Sequence, residues 1–329
     1  MREQAGERKY AQMWKTRRGF LQSGTVLAAG FAAGGPAAEA REQGLGRGEG
    51  VALELASKVQ VPKMKFFHAD ISRLVLGVNP FYGFAHYNNN FGNAMRDWYT
   101  SERVCAVMHE CSRFGINAFN YVHLDRGPQD WARFQAEGGR MHLIIQVTAG
   151  VDSEMLVKTL KPLALQRQGE VVDTAWQNGE METVKEWCKK ARDLGVLVGV
   201  GTHIPEVIAK IEGENWDVDF YSGCVYNRRR TAEEWKRALN GEIMEMPNDI
   251  YMQSDPPRMY RVMRQTRKPC FAFKILAAGR IPDRGIEQVF RTAFESIKPN
   301  DGVYVGMFPK FKDEVRENAE IVHRILTQS

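Results

Sequence analysis

The segment Ser101–Val122, SERVCAVMHECSRFGINAFNYV, contains the pattern that decides the fold. Its first part, Ser101 to Phe114, spaces apolar residues at helical intervals and is followed by Gly115, the residue type that takes a left-handed conformation after a helix at least cost. Its last part, Ala118 to Val122, is a short apolar run of the kind that forms a buried strand. A helix followed at once by a buried strand is the repeating unit of a parallel sheet.

The same alternation continues over most of the chain. Eight apolar runs predict strands: Arg73 to Val78, Ala118 to Val122, Leu143 to Thr148, Val171 to Ala175, Val196 to Gly201, Phe220 to Val225, Cys270 to Ile275 and Gly302 to Gly306. Segments of helical period separate them, so the sequence predicts an α/β fold, a (β/α)8 TIM barrel. A doubly wound open sheet is the alternative, but no G-x-G-x-x-G follows the first strand, which argues against it.

Composition excludes several classes of protein. The chain has 329 residues, of which 43% are hydrophobic and 26% charged, as is typical of a globular protein and not of a disordered or fibrous one. The net charge is +5, but residues 1–40 contribute +3 of it, and the remaining +2 gives no support to a nucleic-acid partner. Five cysteines without a C-x-x-C motif predict buried thiols, not a disulfide framework or a zinc site.

The amino-terminal segment has the features of an export signal. The run Lys15–Gln22, KTRRGFLQ, is followed by a weakly apolar stretch, Thr25 to Ala38, and by the small-x-small sequence Ala38-Glu-Ala40. This order resembles a twin-arginine signal peptide and implies export of the folded protein by the twin-arginine (Tat) machinery. An amphipathic helix with a chance arginine pair is the alternative.

The resemblance also sets the expected boundaries. We expect a signal peptide over residues 1–40 that is cleaved after Ala40, a linker over residues 41–60 and a barrel over residues 61–329. The apolar stretch is too short and too rich in glycine to form a stable membrane span, which needs about 20 apolar residues. The mature protein is therefore expected in the periplasm or elsewhere outside the cytoplasm.

In a barrel of this kind the chemistry lies on the loops that follow the carboxyl ends of the strands. The residues there predict the substrate-binding set, which is Asn79, Tyr82, His86, Asn120, Gln146, Trp176, Tyr226 and Asn227. The candidate catalytic residues are Lys274, His203 and His123, which follow three different strands. Because the strand ends converge on the barrel axis, we expect these side chains to surround a single cavity.

Lys274 is the candidate with the strongest physical argument. It lies in the apolar run Phe271–Leu276, where a buried ammonium needs a carboxylate partner or a ligand group. His203 or His123 would act as a general base beside it. The two histidines with Asp125 or Asp173 could instead bind a divalent metal, although no short ligand spacing supports this. A structural role as hydrogen-bonded spacers is the alternative for both histidines.

The insertion after the first predicted strand, Asn79 to Tyr99, alternates aromatic residues with asparagines. Aromatic faces together with amide groups suit sugar rings, which present apolar C–H faces and hydroxyl groups. Packing over the barrel mouth is the alternative for the same residues. A second insertion, Asn240 to Tyr260, is rich in Met and Pro and predicts a facing lid.

Several motifs resemble the aldo/keto reductase superfamily in their order along the chain. They are Ile71–Gly83 (ISRLVLGVNPFYG), Gly115–Asn120 (GINAFN), Tyr226-Asn227, Lys274–Gly279 (KILAAG), Val305–Lys310 (VGMFPK) and Arg316–Asn318 (REN). The resemblance covers Lys65 to Leu326. It implies a TIM barrel with an N-terminal hairpin near Lys65 to Ile71 that closes the bottom. It also implies an NADP-linked oxidoreductase whose proton donor is a Tyr supported by Lys, Asp and His.

The chain departs from that family at each catalytic position. Asn120 stands where the family has its Asp, and Asp125 stands where the Tyr belongs. Gln146 or Thr148 replaces the Lys, and Asn178 replaces the His. An asparagine carries no charge to hold a lysine, and no paired tyrosine is left to donate the proton. Carbonyl reduction by the standard tetrad is therefore not expected.

The resemblance also implies where a nicotinamide cofactor would bind. Lys310, Lys312, Glu317 and Asn318 occupy the stretch with which the family grips the adenine end. A tightly bound NADP is the cofactor that the resemblance implies, and a divalent metal is the alternative. Solvated charges on the polar face of a helix are the structural alternative for these four residues.

The sequence thus predicts an exported, aldo/keto-reductase-like barrel that acts as a small-molecule enzyme. Its substrate would be sugar-like or carbonyl-bearing, and the reaction would not use the standard reductase tetrad. Two other functions remain open at this point, namely a non-catalytic ligand-binding barrel and a metal-dependent isomerase or lyase on the same fold.

Overall fold

A computed structural model of the protein describes residues 58–240 and 249–328. The predicted signal peptide, its cleavage site and most of the predicted linker lie outside the described residues. So do residues 241–248, in the first half of the predicted insertion over residues 240–260.

Eight parallel strands close into a barrel, as the alternating pattern predicts. They are β3 (Leu74–Gly77), β4 (Ala118–Val122), β5 (His142–Val147), β6 (Ala164–Arg167), β7 (Leu197–Thr202), β8 (Phe220–Cys224), β9 (Cys270–Phe273) and β10 (Gly302–Gly306). The ring closes where β10 pairs with β3, with Val303 beside Leu74 and Gly306 beside Gly77. A Cβ atom on Gly77 would lie 2.9 Å from the Gly306 nitrogen, so this seam requires glycine.

Helices surround the barrel and cover its outer face. Within the described residues they are α1 (Asn89–Trp98), α2 (Ser101–Arg113), α3 (Gly127–Ala136), α4 (Ser153–Leu160), α5 (Gly169–Asn178), α6 (Met181–Arg192), α7 (Pro205–Gly213), α8 (Ala232–Leu239), α9 (Pro256–Gln265), α10 (Ile286–Ser296) and α11 (Glu314–Thr327). No helix among these is long and apolar enough to cross a membrane. The five cysteines are buried and unpaired, as expected.

The fourth barrel strand is not the predicted one. The run Val171–Ala175 lies inside α5, and β6, Ala164–Arg167, is the strand. Val172, Asp173 and Ala175 lie on the buried face of that helix. Gln166 is a buried polar residue in the middle of β6, so the true strand has no continuous apolar run. A short apolar run has the same appearance in a buried strand and on the inner face of a helix, so periodicity could not separate the two.

The residues that were predicted to follow the fourth strand therefore lie in a helix and not at a strand end. Trp176, predicted to bind substrate, lies in the last turn of α5, where it packs partly buried against the core. Asn178, assigned to the family's His position, ends the same helix and is exposed. The residue that follows β6 is Gln168.

A hairpin closes the amino-terminal end of the barrel, as the family resemblance implies. Strands β1 (Lys63–Phe66) and β2 (Ala69–Ser72) pair antiparallel just before β3. The Phe66 ring is fully buried, with its centroid 5.3 Å from that of Phe220 and 5.4 Å from that of Phe271. Because Phe220 and Phe271 lie at the starts of β8 and β9, the hairpin fills the bottom of the barrel.

We expect Phe66→Ala to lower the free energy of unfolding by about 3–5 kcal/mol, because the change removes a buried ring and leaves a cavity among aromatic neighbours. Urea unfolding followed by circular dichroism measures this loss. Phe67→Ala is the matched control: Phe67 is 44% exposed, and its loss should change stability by about 0.5 kcal/mol or less. Equal effects of the two substitutions would show that the hairpin does not close the barrel.

Candidate functional site

A cavity of about 580 Å³ opens at the carboxyl ends of the barrel strands. The predicted site residues that line it are Asn79, His86, Asn120, Gln146, His203 and Lys274, together with Lys312, Glu317 and Asn318. The first six surround the barrel axis, as strand-end convergence predicts. The last three lie along an outer groove beside β10 and α11, continuous with the central part.

Six other predicted site residues do not line this cavity. They are Tyr82, His123, Trp176, Tyr226, Asn227 and Lys310. His123 is excluded by strand alternation, because Asn120 and Val122 on β4 face the cavity and Tyr121 faces the other way. His123 continues the register of Tyr121, and its Nδ1 atom lies 3.2 Å from the tyrosine hydroxyl.

Structural contacts occupy the remaining residues of this group. The Tyr82 hydroxyl donates to Asp130 at 3.1 Å, and Tyr226 stacks on Tyr251 with ring centroids 4.7 Å apart. The Asn227 side-chain oxygen accepts a hydrogen bond from the backbone nitrogen of Arg229 at 3.0 Å. Lys310 is exposed and lies over the Phe311 ring.

His203 follows β7 directly and is held by a buried carboxylate. Its Nδ1 atom lies 2.6 Å from Oδ2 of Asp173, a fully buried residue of α5 that does not line the cavity. The same carboxylate accepts hydrogen bonds from the His203 backbone nitrogen at 3.2 Å and from the Thr202 hydroxyl at 2.5 Å. A Cβ atom on Gly169 would lie 3.3 Å from the imidazole, so glycine lets α5 approach this closely.

The electrostatics of this pair make His203 an uncharged base. Burial lowers its pKa well below the usual value, and the nearby Lys274 ammonium lowers it further. Burial also raises the pKa of Asp173 to about 6, so the carboxyl is ionised at neutral pH. With Nδ1–H donated to Asp173, the unprotonated nitrogen of the ring is Nε2.

Lys274 follows β9, which only β8 separates from the strand of His203, and its backbone lies in the left-handed region at a φ of 61°. Its ammonium group has no hydrogen bond or ion pair within the described ranges, and the nearest ring contact is Phe273 at 5.8 Å. Burial lowers the pKa of Lys274, the nearby Cys224 opposes this effect, and the positive charge of Arg228 adds to it. The sequence predicts a carboxylate or a ligand as its partner, and no described carboxylate lies within ion-pair distance.

The acidic groups near Lys274 are bound to other cations. Asp249 lies 2.8 Å from the Arg228 guanidinium and 3.0 Å from Nδ1 of His86, and Glu170 pairs with both Arg228 and Arg229. Burial, followed by the charge of Lys274, lowers the pKa of His86 to about 4. This network leaves Lys274 as a cation that faces the cavity without a bound counter-ion.

Amide groups form the floor of the cavity. The Gln146 side chain donates to the Asn120 side-chain oxygen at 2.6 Å, and Gln166 accepts from Ser222 at 2.6 Å. The Asn120 side-chain nitrogen is buried and lacks a hydrogen-bond partner among the described residues. A buried donor without a partner costs about 1–3 kcal/mol, so a ligand that accepts from it gains that amount.

The outer groove carries the residues that the resemblance assigns to a cofactor. Lys312 lies 2.7 Å from Glu317 and 2.9 Å from Asp283. Asn318 is buried at the groove wall, and its side chain makes no hydrogen bond within the described part of the chain. Glu314 accepts from the Phe308 nitrogen at 2.6 Å, and burial raises its pKa to about 7.

The residues considered for a metal site are not brought together. His123 lies away from the cavity, Asp125 is exposed, and Asp173 is bound to His203. Over the ranges that the structure describes, no three His, Cys, Asp or Glu side chains are arranged to hold a metal ion.

The sequence predicts that His203 and Lys274 face one cavity, and both line it, but the sequence gives no indication of the residues around them. Asp173 was considered only as a metal ligand, because it was placed on a strand and not on the helix behind His203. Glu170 and Gln168 were missed for the same reason, since they follow the true fourth strand. The hydrogen bond between Asp249 and His86 joins two long insertions, and no local spacing signals it.

We expect His203 to remain neutral at about pH 6.5, where an ordinary histidine is half protonated, because burial opposes its charge. The ¹⁵N chemical shifts of the ring should show a protonated Nδ1 and an unprotonated Nε2 at that pH. Asp173→Asn should mix the two tautomers, since the amide can accept or donate. A ring that titrates near its usual pKa in the unchanged protein would contradict the arrangement.

Comparison with known proteins identifies the fold only. No protein-family model matches the chain, and no curated protein is similar to it in sequence. Among solved structures, a candidate aldo-keto reductase from Pseudomonas aeruginosa is 16% identical, with a TM-score of 0.50, over 80% of this chain and 94% of the other. An aldo/keto reductase from Brucella melitensis is 12% identical, with a TM-score of 0.43, over 82% of this chain and 98% of the other.

A truncated 3-deoxy-D-arabino-heptulosonate 7-phosphate synthase from Thermotoga maritima is also similar, at 13% identity and a TM-score of 0.47, over 83% of this chain and 96% of the other. Similarity at these identities concerns the architecture of the chain. The protein is a closed TIM barrel of the kind that aldo-keto reductases and other barrel enzymes share.

Proposed function

We propose that this barrel is an enzyme that binds a sugar-like, carbonyl-bearing small molecule in the central cavity. His203 transfers protons to and from the substrate, and Lys274 contacts the carbonyl group. The observation that carries the proposal is the presence, on one cavity, of a neutral histidine backed by a buried carboxylate and of an ammonium without a counter-ion.

The chemistry follows from the two environments. Nε2 of His203 accepts a proton, and Asp173 then stabilises the imidazolium that forms. Lys274 places positive charge where a carbonyl oxygen gains electrons, and a site of low dielectric strengthens that interaction. The two residues together suit proton transfer at a carbon next to a carbonyl group.

The walls of the cavity support a hydroxylated substrate. Asn79, Asn120 and Gln146 supply amide donors and acceptors. Phe84 and Phe91 also line the cavity and present apolar surfaces, which match the C–H faces of a sugar ring. The donor on Asn120 that lacks a partner points to at least one hydroxyl or carbonyl oxygen on the ligand.

We also propose that the reaction does not use the reductase tetrad. Asn120 is paired with Gln146, and neither can act as a charged acid or base. Asp125 is exposed outside the cavity, and the hydroxyl of Tyr82 is bound to Asp130. Burial and the Asp130 charge raise the pKa of Tyr82, the reverse of what a tyrosine proton donor needs.

The outer groove is suited to the nucleotide end of NADP, which the resemblance implies. The free amide of Asn318 and the carboxylate of Glu317 match the donor and acceptor edge of an adenine, and Lys312 would face a phosphate. A bound NADP, in its reduced form, would supply a hydride to a substrate carbonyl. Lys312 is already paired with two carboxylates, which weakens its attraction for phosphate.

The enzyme proposal is tested by substitutions at the cavity. With small aldoses and ketoses as substrates, we expect His203→Gln to lower kcat by about 10²–10⁴-fold, because it removes the general base. Lys274→Met should lower it by about 10²–10³-fold through loss of the charge at the carbonyl. Thermal melting checks that both variants fold.

The matched control is His123→Gln. His123 also follows a barrel strand but lies away from the cavity, so this variant should keep nearly full activity. Ligand binding without turnover in the unchanged protein would instead support a non-catalytic binding barrel. Loss of activity in His123→Gln but not in His203→Gln would overturn the assignment.

We further propose that the protein is exported through the twin-arginine route and acts outside the cytoplasm, on the basis of the KTRRGFLQ motif. Replacing Arg17 and Arg18 together by Lys should leave the precursor in the cytoplasm, because the pair is the recognised element. Fractionation and immunoblotting measure this. A mature form that still appears outside the cytoplasm would contradict the proposal, and amino-terminal sequencing tests cleavage after Ala40.

A further inference from the structure

We infer that Lys274 is a nucleophile that forms an imine with the carbonyl carbon of the substrate. This inference rests on the proposed function and deepens it, because it makes the contact between Lys274 and the carbonyl covalent. The substrate class that follows is a small hydroxy-aldehyde or hydroxy-ketone with a hydrogen on the carbon next to the carbonyl.

The first observation is the backbone that presents Lys274. Its φ of 61° lies in the left-handed region, and Ala277 and Ala278 follow with φ values of 49° and 51°. Residues with a Cβ atom lose about 1–2 kcal/mol each in this region, so three of them within five residues form a costly turn. A side chain held in such a turn at a strand end points to a functional demand.

The second observation is that Lys274, which lines the cavity, forms no ion pair with a described carboxylate. Only the neutral amine has the lone pair that attacks a carbonyl, so an ion pair would oppose this chemistry. Glu170 and Asp249 are the nearby carboxylates, and both are engaged by arginines. Burial and the positive Arg228 lower the pKa of the amine more than Cys224, Asp249 and Glu170 raise it, which increases its neutral fraction.

The third observation is that the cation at position 274 of the cavity wall is a lysine and not an arginine. A fixed positive charge for a carbonyl oxygen would be served as well by arginine, which the chain places close by at Arg228 and Arg229. Lysine differs because it can lose its proton and become a nucleophile. The side chain without a counter-ion is the one that can change its charge.

The step balances with the groups present. The lone pair on Nζ of neutral Lys274 attacks the carbonyl carbon, a C–N bond forms, and the π electrons move to oxygen. That oxygen takes up a proton as the nitrogen releases one, which gives a neutral carbinolamine. A further proton from solvent allows the hydroxyl to leave as water, and the nitrogen lone pair closes the C=N bond to give an iminium ion; the later hydrolysis returns that proton to solvent.

His203 then has a defined task. Its Nε2 atom takes a proton from the carbon next to the C=N carbon, and the electron pair moves toward the iminium nitrogen to give an enamine. The imidazolium formed is stabilised by Asp173. Return of the proton to carbon and hydrolysis of the C=N bond by water restore the free amine, with no oxidant or reductant consumed.

The test uses dihydroxyacetone as the probe with the full folded protein. Sodium cyanoborohydride reduces an imine to a stable amine, so the protein mass should rise by the mass of the probe less one oxygen atom. We expect peptide mapping to place this adduct on Lys274. The adduct should be absent from Lys274→Arg and Lys274→Met, and it should persist in Lys189→Met, a variant of an exposed lysine on α6.

Exchange of the probe's C–H protons in D₂O, followed by NMR, separates the two claims. Imine formation predicts exchange in the unchanged protein and its loss in Lys274→Arg, which keeps the charge but not the nucleophile. His203→Gln should keep the adduct and lose the exchange. Circular dichroism of each variant confirms that it folds.

Exchange that persists in Lys274→Arg without an adduct would overturn the imine and leave the proposed function intact. Adducts spread over exposed lysines with none at Lys274 would also overturn the imine. An adduct on Lys274 with exchange unaffected by His203→Gln would support the imine and remove His203 as the base of the proposed function.

Discussion

The closure of the eight strands is the constraint on which the rest of the molecule depends. Pairing of β10 with β3 at two facing glycines completes the ring, and the hairpin with Phe66 fills its lower end. With the bottom closed by packed side chains, the open space lies at the carboxyl ends of the strands. His203 and Lys274 are far apart in the chain, but both follow barrel strands. They face one cavity because the carboxyl ends of those strands converge on the barrel axis.

The second constraint is electrostatic. Lys274 is half-buried at the cavity wall, where partial removal of an ammonium from water is unfavourable, and no carboxylate offsets that cost by an ion pair. Asp249 and Glu170 are close enough to influence Lys274, yet both are bound to arginines and to His86. A cavity that keeps one cation free while it pairs the others is arranged for a ligand, because stability alone would favour an ion pair at that position.

Most of the barrel strands were predictable from the sequence, and each wrong prediction has a physical cause. Seven of the eight predicted strands lie where the alternation of apolar runs and glycine-capped helices placed them. The fourth was missed because β6 is only four residues long and carries Gln166, whereas Val171–Ala175 is the buried face of a helix. His123 was expected at the cavity but lies away from it. Side chains alternate along a strand, so a residue that follows a strand faces the cavity only when its position has the same parity as the cavity-facing residues of that strand.

The contact that sequence reasoning could not supply is the one between Asp173 and His203. The residues are thirty positions apart, and their meeting depends on α5 packing closely against β7, which Gly169 permits by leaving out a side chain. Because the carboxylate approaches from a helix behind the histidine, it orients the ring without entering the cavity. The imidazole therefore lines the cavity with its other side, and Lys274 is the one cation among the described lining residues that has no ion pair.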